Sequence, residues 1–586
     1  MIFKSTDFVE WGYLLSTFSS WLFQQIYILR KVYRDSLLAS LLINLFALAS
    51  PLFVMNVYDR VVPNQAFETL WVLASGIIII LLFDLSTKFM RHSFIDRSAA
   101  QLDGVLSKQL FERIIATRMD HVSGSIGGMA SQLKDFDSIK QFFTASTMVA
   151  LIDLPFAVLF LFIIFYIGGV VAIAPFIAML ILVLYGLLMH FPLKHLSIDL
   201  QTAAAEKSAI AVESLSTLET IKAFNAEARQ LSLWEKSLSL MIDLSLKSRR
   251  YADSIGLVST FVIQMTVVAV LILGVYQINA QHMSLGALIA CVLLSSRALS
   301  PMVQLASLIS QFHQARAALQ SLDQLSSQDI DVELERNYLD PEVFSGKIEL
   351  RNLSYTLEQR SILSQMSTTI GAGEKIAIIG KIGAGKSTLL KLLMGFVKPS
   401  DGQVLIDDID LQHLNISKLR SHIAYVPQEI SLFKGSLREN ILLKNPTASV
   451  EELSSAIQVA GLNDFVQSHP MGIDMLIGEQ GKGLSGGQKQ SVAIARAIID
   501  QPSMFLFDEL SAAMDNQTEQ EVIQNIKALT KNKTLLLSTH RSSLLSLVDR
   551  IIVMDAGKIV ADGPKEKVMD ALKRGLIRMS GSEEKK

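Results

Sequence analysis

The sequence predicts a multidomain membrane protein, in which a six-helix α-helical transmembrane domain is followed by an α/β domain. Three observations carry this reading: six apolar stretches near the length of a membrane span, an end to such stretches after Gln320, and an alternation of strand-like and helix-like runs beyond it. The chain of 586 residues is 50% hydrophobic and 18% charged, against about 25% charged in ordinary soluble chains. That composition excludes a disordered protein and speaks against a wholly soluble enzyme. With 53 basic and 55 acidic residues the net charge is −2, so nothing points to a nucleic-acid partner. The one cysteine, Cys291, lies in an apolar run. A disulfide within the chain and Cys-rich zinc or iron–sulfur sites are thereby excluded.

Residues 1–35 are expected to form a short N-terminal cytoplasmic or interfacial segment. Trp11, Trp21, Phe23 and Tyr27 suit an interfacial helix, and the basic start, clean apolar core and small-residue cleavage site of a secretory signal are all missing from this segment. The apolar stretches follow at about 37–57, 69–89, 147–167, 170–191, 257–278 and 284–307, each near the roughly 20 residues a spanning helix requires. The connection 59–68 holds one basic residue, and the turns near Gly168 and at 279–284 hold none. Lys31, Arg34, Lys88, Arg91, Arg97, Lys194, Lys207, Arg249 and Arg250 all fall on the other side. The positive-inside rule makes that side cytoplasmic, together with both termini. The polar segments 90–146 and 192–256 are rich in Ala, Leu, Glu and Lys at helical spacing. They are expected to continue the spans into the cytoplasm, each turning back at a short reversal, the first near 124–128. A polar, acidic, Pro-containing stretch over 326–345 reads as a linker. The expected domains are therefore 36–320 in the membrane, a linker over 321–345, and an α/β domain over 346–582.

The α/β domain carries Gly380-Lys381-Ile382-Gly383-Ala384-Gly385-Lys386-Ser387, a P-loop without a mismatch, with a strand-like run before it and a helix-like run from Thr388 after it. Glycines let successive backbone N–H groups curl around phosphate oxygens, and the positive end of the following helix points at them. Lys386 would neutralise β and γ oxygens, and the Ser387 hydroxyl would ligate Mg²⁺. The hydrophobic run 504–507 ends in Asp508-Glu509. An acidic pair at the carboxyl end of a buried strand stands where α/β sheets place their ligand chemistry. Asp508 suits Mg²⁺, and Glu509 suits polarisation of an attacking water.

These motifs, with Leu484-Ser485-Gly486-Gly487-Gln488 and His540, resemble the ATP-binding cassette, and the six spans before them resemble the exporter form of an ABC transporter. The resemblance implies an ATP hydrolase coupled to transport, with ATP and Mg²⁺ as cofactors. It makes Glu509, His540, Gln428 and Lys386 catalytic, and puts Mg²⁺ on Ser387, Gln428 and Asp508. It puts nucleotide on Tyr355, as the adenine-stacking aromatic, on Gly380, Gly383, Gly385, Lys386, Ser387 and Thr388, and on Asp515. Ser485, Gly486, Gly487 and Gln488 would meet the γ-phosphate held by a second subunit. One P-loop and one signature per chain then imply a homodimer of two-fold symmetry. Short turn helices near 129–135 and 202–211 are the expected docking points on the cassettes. The loop after Glu509 departs from the family spelling at Leu510, Ala512 and Met514.

The stretch 41–64, reading LLINLFALASPLFVMNVYDRVVPN, with 151–156 and 296–301, is similar to bacterial type I secretion transporters of large repeat-containing adhesins and toxins. That similarity implies export of an unfolded polypeptide from the bacterial inner membrane, with a periplasmic adaptor and an outer-membrane channel as partners. A lipid or drug exporter on the same scaffold, or a membrane-tethered ATPase that regulates a partner, are the competing expectations. Many such relatives carry an N-terminal peptidase-like domain; about 35 residues precede the first span here, and a thiol protease is excluded by composition. Arg297, inside the sixth apolar stretch, is expected to line the translocation path and to pair with Asp84 or Asp153.

Overall fold

The computed structural model describes residues 30–120, 145–326, 329–332 and 337–577. The expectations for the N-terminal segment, the reversal near 124–128 and the turn helix near 129–135 lie outside the described residues. The described residues fall into two compact units: helices up to residue 115 and from 145 to 326 in one, residues 116–120 with 329–577 in the other.

The first unit comprises α1 (Arg30–Asn56), α2 (Phe67–Ala116), α3 (Ala145–Gly168), α4 (Ile173–Ser216), the short α5 (Leu218–Ala223), α6 (Glu227–Asn279) and α7 (Leu285–Ser326). Among the described residues five segments are long and apolar enough to cross a membrane, and one of them, 153–216, is 64 residues long. That segment contains two spans, because the chain reverses through a tight 3₁₀ turn at Gly169–Ala172. The six expected spans are thus accounted for. Trp71, Leu82 and Phe162 stand exposed on their helices, as lipid-facing side chains should.

At 1.5 Å per residue α2, α4 and α6 each extend roughly 65–80 Å, more than twice the ~30 Å hydrocarbon core. The turn expected at 202–211 is absent: those residues lie inside α4, where their Ala, Glu and Lys content favours unbroken helix. The chain turns instead at Thr217, whose hydroxyl donates back to the Glu213 carbonyl at 2.8 Å, and at Asn225 with φ +50°.

Polar contacts tie the spans. Asp59, in a π-helical turn at Val57–Val61, accepts from the Ser284 hydroxyl at 2.6 Å and the Gly286 N–H at 2.8 Å, and so caps the start of α7. Asp153 accepts from Asn44 Nδ2 at 3.1 Å and from buried Arg91 at 3.4 Å. Asp84 pairs with Lys88 one turn along α2, at 2.6 Å. Both carboxylates expected for Arg297 are therefore engaged elsewhere. Arg297 is exposed on α7, with no ion pair among the described residues.

The second unit holds two main sheets. The four-stranded antiparallel sheet, in the order β2-β1-β4-β5, is built from β1 (Ile348–Leu357), β2 (Arg360–Ile370), β4 (Asp401–Ile406) and β5 (Ile409–Asp410). The six-stranded sheet adds β3 (Lys375–Gly380), β6 (Ile423–Val426), β7 (Met504–Asp508), β8 (Thr534–Ser538), β9 (Arg550–Asp555) and β10 (Lys558–Pro564). Its order is β10-β9-β3-β8-β7-β6, parallel except for the edge strand β10. β7 and β8 are buried at every residue, which explains their continuous apolar sequence rather than an alternating one. Alternate residues enter two different cores: Phe505, Phe507, Leu535 and Leu537 pack on one face, with α9 (Gly486–Ile498) and α10 (Asn516–Leu529). Met504, Leu506 and Leu536 pack on the other, with α8 (Lys386–Leu393) and the antiparallel sheet.

Candidate nucleotide site

Because β3, β8 and β7 are neighbours in parallel register, their carboxyl ends deliver chemistry to one edge. Ser538 pairs with both Ile378 and Asp508, so the loop after β3 meets the residues that follow β7 and β8. Gly380 ends β3 and Lys386 begins α8. Between them Gly383 and Gly385 adopt φ +82° and +97°, conformations that disfavour a side chain. At Gly385 a Cβ would also lie 2.5 Å from Leu363 Cδ2.

One cleft is lined by Gly383, Gly385, Lys386, Ser387, Thr388, Gln428, Asp508, Glu509 and His540. The Lys386 ammonium is folded into the loop, donating to the carbonyls of Gly380 at 2.9 Å and Lys381 at 3.2 Å, and to His540 Nε2 at 3.0 Å. Burial pushes its pKa down, against the pull of Glu509 and Asp508. His540 Nε2 stands 3.9 Å from Glu509 Oε1. Glu509 sits at φ +54°, a left-handed conformation costing about 1–3 kcal/mol for a non-glycine residue. Ser387, Gln428 and buried Asp508 present a hydroxyl, an amide and a carboxylate to the same cleft. An all-oxygen donor set of this kind fits Mg²⁺.

Other expected residues stand apart. Tyr355 is 8% exposed within the apolar core of β1 and β2 and does not line the cleft. Burial raises its pKa, with Asp120 adding to the rise. From the β1–β2 hairpin the cleft receives Arg360, which pairs across the ladder with half-exposed Leu357. Ser485 caps α9 through a capping box with Gln488, and Ser485, Gly486, Gly487 and Gln488 are absent from the lining. Asp515 caps α10, accepting from the N–H groups of Gln517 and Thr518 and from the Thr518 hydroxyl. Of the three departures from the family spelling, Leu510 and Met514 are core residues and Ala512 is exposed.

Sequence reasoning missed a second tier of polar residues that carry no motif. Buried Glu519 accepts from the hydroxyls of Ser511 and Ser543 and pairs with Arg541, which in turn donates to the Ala512 carbonyl. Arg420 donates to the Met394 and Gly395 carbonyls beyond the end of α8 and pairs with Asp331. Thr117 bridges to Ile330, and Arg118 pairs with Asp120 and Asp329. Their proximity in space could not be read from spacing.

The family described as ABC transporter transmembrane region matches residues 36–302, and the one described as ABC transporter matches 363–512. The leukotoxin export ATP-binding protein of Aggregatibacter actinomycetemcomitans is 31% identical over 554 residues, 94% of this chain and 78% of its own length. The leukotoxin translocation ATP-binding protein of Mannheimia haemolytica is 31% identical over 555 residues, with the same coverages. A bacterial Atm1-family ABC exporter solved with ATP bound superimposes with a TM-score of 0.85 at 24% identity, over 95% of this chain and 100% of its own.

Proposed function

The chain belongs to the ABC transporter family, and from that membership we propose that it works as a homodimeric half-transporter that exports an unfolded polypeptide by type I secretion. It is an ABC exporter and a multi-pass membrane protein whose cassette binds nucleotide and hydrolyses ATP to drive transport. The finer reading places it in the bacterial inner membrane, with both termini and the cassette cytoplasmic, a periplasmic adaptor and an outer-membrane channel as partners, and an RTX-like adhesin, toxin or protease as cargo. The names of the two leukotoxin exporters support the cargo.

The observation that carries the dimer is the incomplete cleft. P-loop, acids, Gln428 and His540 share it, while Ser485 to Gln488 lie outside, exposed or half-exposed. A second chain's signature would complete it, its helix start presenting free N–H groups to the γ-phosphate. In the closed site Lys386 leaves the loop carbonyls for phosphate oxygens, Glu509 accepts a hydrogen bond from the attacking water, and His540 touches the γ-phosphate. Mg²⁺, held by Ser387, Gln428 and Asp508, would neutralise charge between the β- and γ-phosphates.

The test is proteomic. In the native bacterium with the gene deleted, wild-type chain should restore a polypeptide to the medium, and Glu509→Gln, at equal membrane abundance, should not. A medium identical in both strains, with a change in membrane lipids instead, would overturn the polypeptide cargo.

A further inference from the structure

One buried side chain on the signature helix has a place that no motif role covers. Gln490, on α9, is 2% exposed and spends both ends of its amide on backbone. Its Nε2 donates to the Glu509 carbonyl at 2.7 Å, and its Oε1 accepts from the Ala513 N–H at 3.0 Å. The Glu509 carbonyl also accepts from Ala512 N at 3.2 Å, and the Glu509 N–H donates to the Ser538 carbonyl at 2.9 Å. The left-handed peptide that aims the Glu509 carboxylate is thus held from β8 on one side and from α9 on the other.

A second contact runs beside it. A Cβ at Gly486 would lie 3.0 Å from Ala513 Cβ, and one at Gly487 would lie 3.0 Å from the Ala513 carbonyl oxygen. The signature therefore rests on the loop that Gln490 ties to Glu509. Within one chain, the helix that presents the signature and the residue that polarises water form a single hydrogen-bonded block.

We propose that Gln490 is a positioning residue that fixes Glu509 to the signature helix, so that each chain's signature and its own catalytic glutamate move together. Resting on the composite-site reading above, this has a consequence for the dimer. A chain's signature serves the nucleotide on its partner's P-loop, whereas its Glu509 serves the nucleotide on its own. Gln490 therefore links the two ATP sites mechanically through the body of each chain.

Two experiments test this on the full-length purified dimer. Gln490→Met, which is close in length and has no amide, should lower kcat for ATP at least tenfold while KM and binding of a fluorescent ATP analogue stay within twofold. Gln490→Glu keeps an acceptor for Ala513 but loses the donor to Glu509, and should behave likewise. Parental kcat in both variants, or a kcat loss matched by an equal loss of ATP binding, would overturn the positioning role.

The second experiment uses mixed dimers in which one chain carries Lys386→Ala, leaving one competent site. Gln490→Met placed in the other chain should lower turnover through Glu509. Placed in the Lys386→Ala chain, whose own Glu509 serves a dead site, it should lower turnover again, through the signature. Unchanged turnover in the second placement would overturn the linkage. Loss of all activity in the Lys386→Ala mixed dimer without any Gln490 change would instead count against the composite-site reading.

Discussion

At the scale of single residues, the Lys386 ammonium rests on the Gly380 and Lys381 carbonyls and on His540. His540→Ala should therefore lower ATP turnover while leaving ATP binding within about threefold, and parental turnover in the variant would remove His540 from the site. The positive φ of Gly385 was legible because a P-loop needs that backbone, and the place of Lys386 and Ser387 in the cleft because they follow it. Tyr355 was misplaced because a count of residues to the P-loop cannot tell the buried face of β1 from its exposed end. Tyr355→Ala should act as a core truncation, costing about 3–5 kcal/mol, and Tyr355→Leu, which removes the ring but keeps apolar bulk, should leave the KM for ATP unchanged; a raised KM in the Leu variant would return the adenine-stacking role to the ring. Glu519 gives a pH-dependent expectation. Burial raises its pKa, but the hydrogen bonds from Ser511, Arg541 and Ser543 outweigh that and lower it below the ordinary 4.5. A depressed folded pKa means stability present above about pH 4.5 and lost as pH falls through the folded value. Glu519→Gln should therefore lower the free energy of unfolding at neutral pH by roughly 1–3 kcal/mol and flatten its fall with acid. Parallel pH curves for variant and parent would contradict the assignment.

Among the elements, the six spans were legible from length alone, since a bilayer sets that length whatever the packing partners. The turn at 217–226 was not, because helix propensity across 202–211 says only that a helix is stable there. The cap that Asp59 supplies to α7 was equally hidden, its partners Ser284 and Gly286 lying more than two hundred residues away. Replacing Asp59 by Ala should cost about 0.5–2 kcal/mol, read as a lower unfolding temperature in detergent. Asp59→Asn, which keeps a carbonyl acceptor, should retain most of the stability. Equal temperatures for parent and Ala variant would show that the cap contributes nothing.

For the whole molecule, the order of spans, P-loop, signature, acidic pair and His540 declared the architecture, and one P-loop with one signature per chain is the ground on which we propose a second copy. The carboxylates expected for Arg297 were wrong because hydropathy depth does not report helix facing; Arg91, Asn44 and Lys88 reach them first. The central claim is that each ATP site is shared between two chains. Its most direct measurement is ATP turnover by a purified dimer that mixes a Lys386→Ala chain with a Ser485→Arg chain. The account predicts clear activity in the mixture, from the one site with both a good P-loop and a good signature, and none in either variant homodimer. A mixture as inactive as both homodimers, with pairing verified by differential tags, would contradict it.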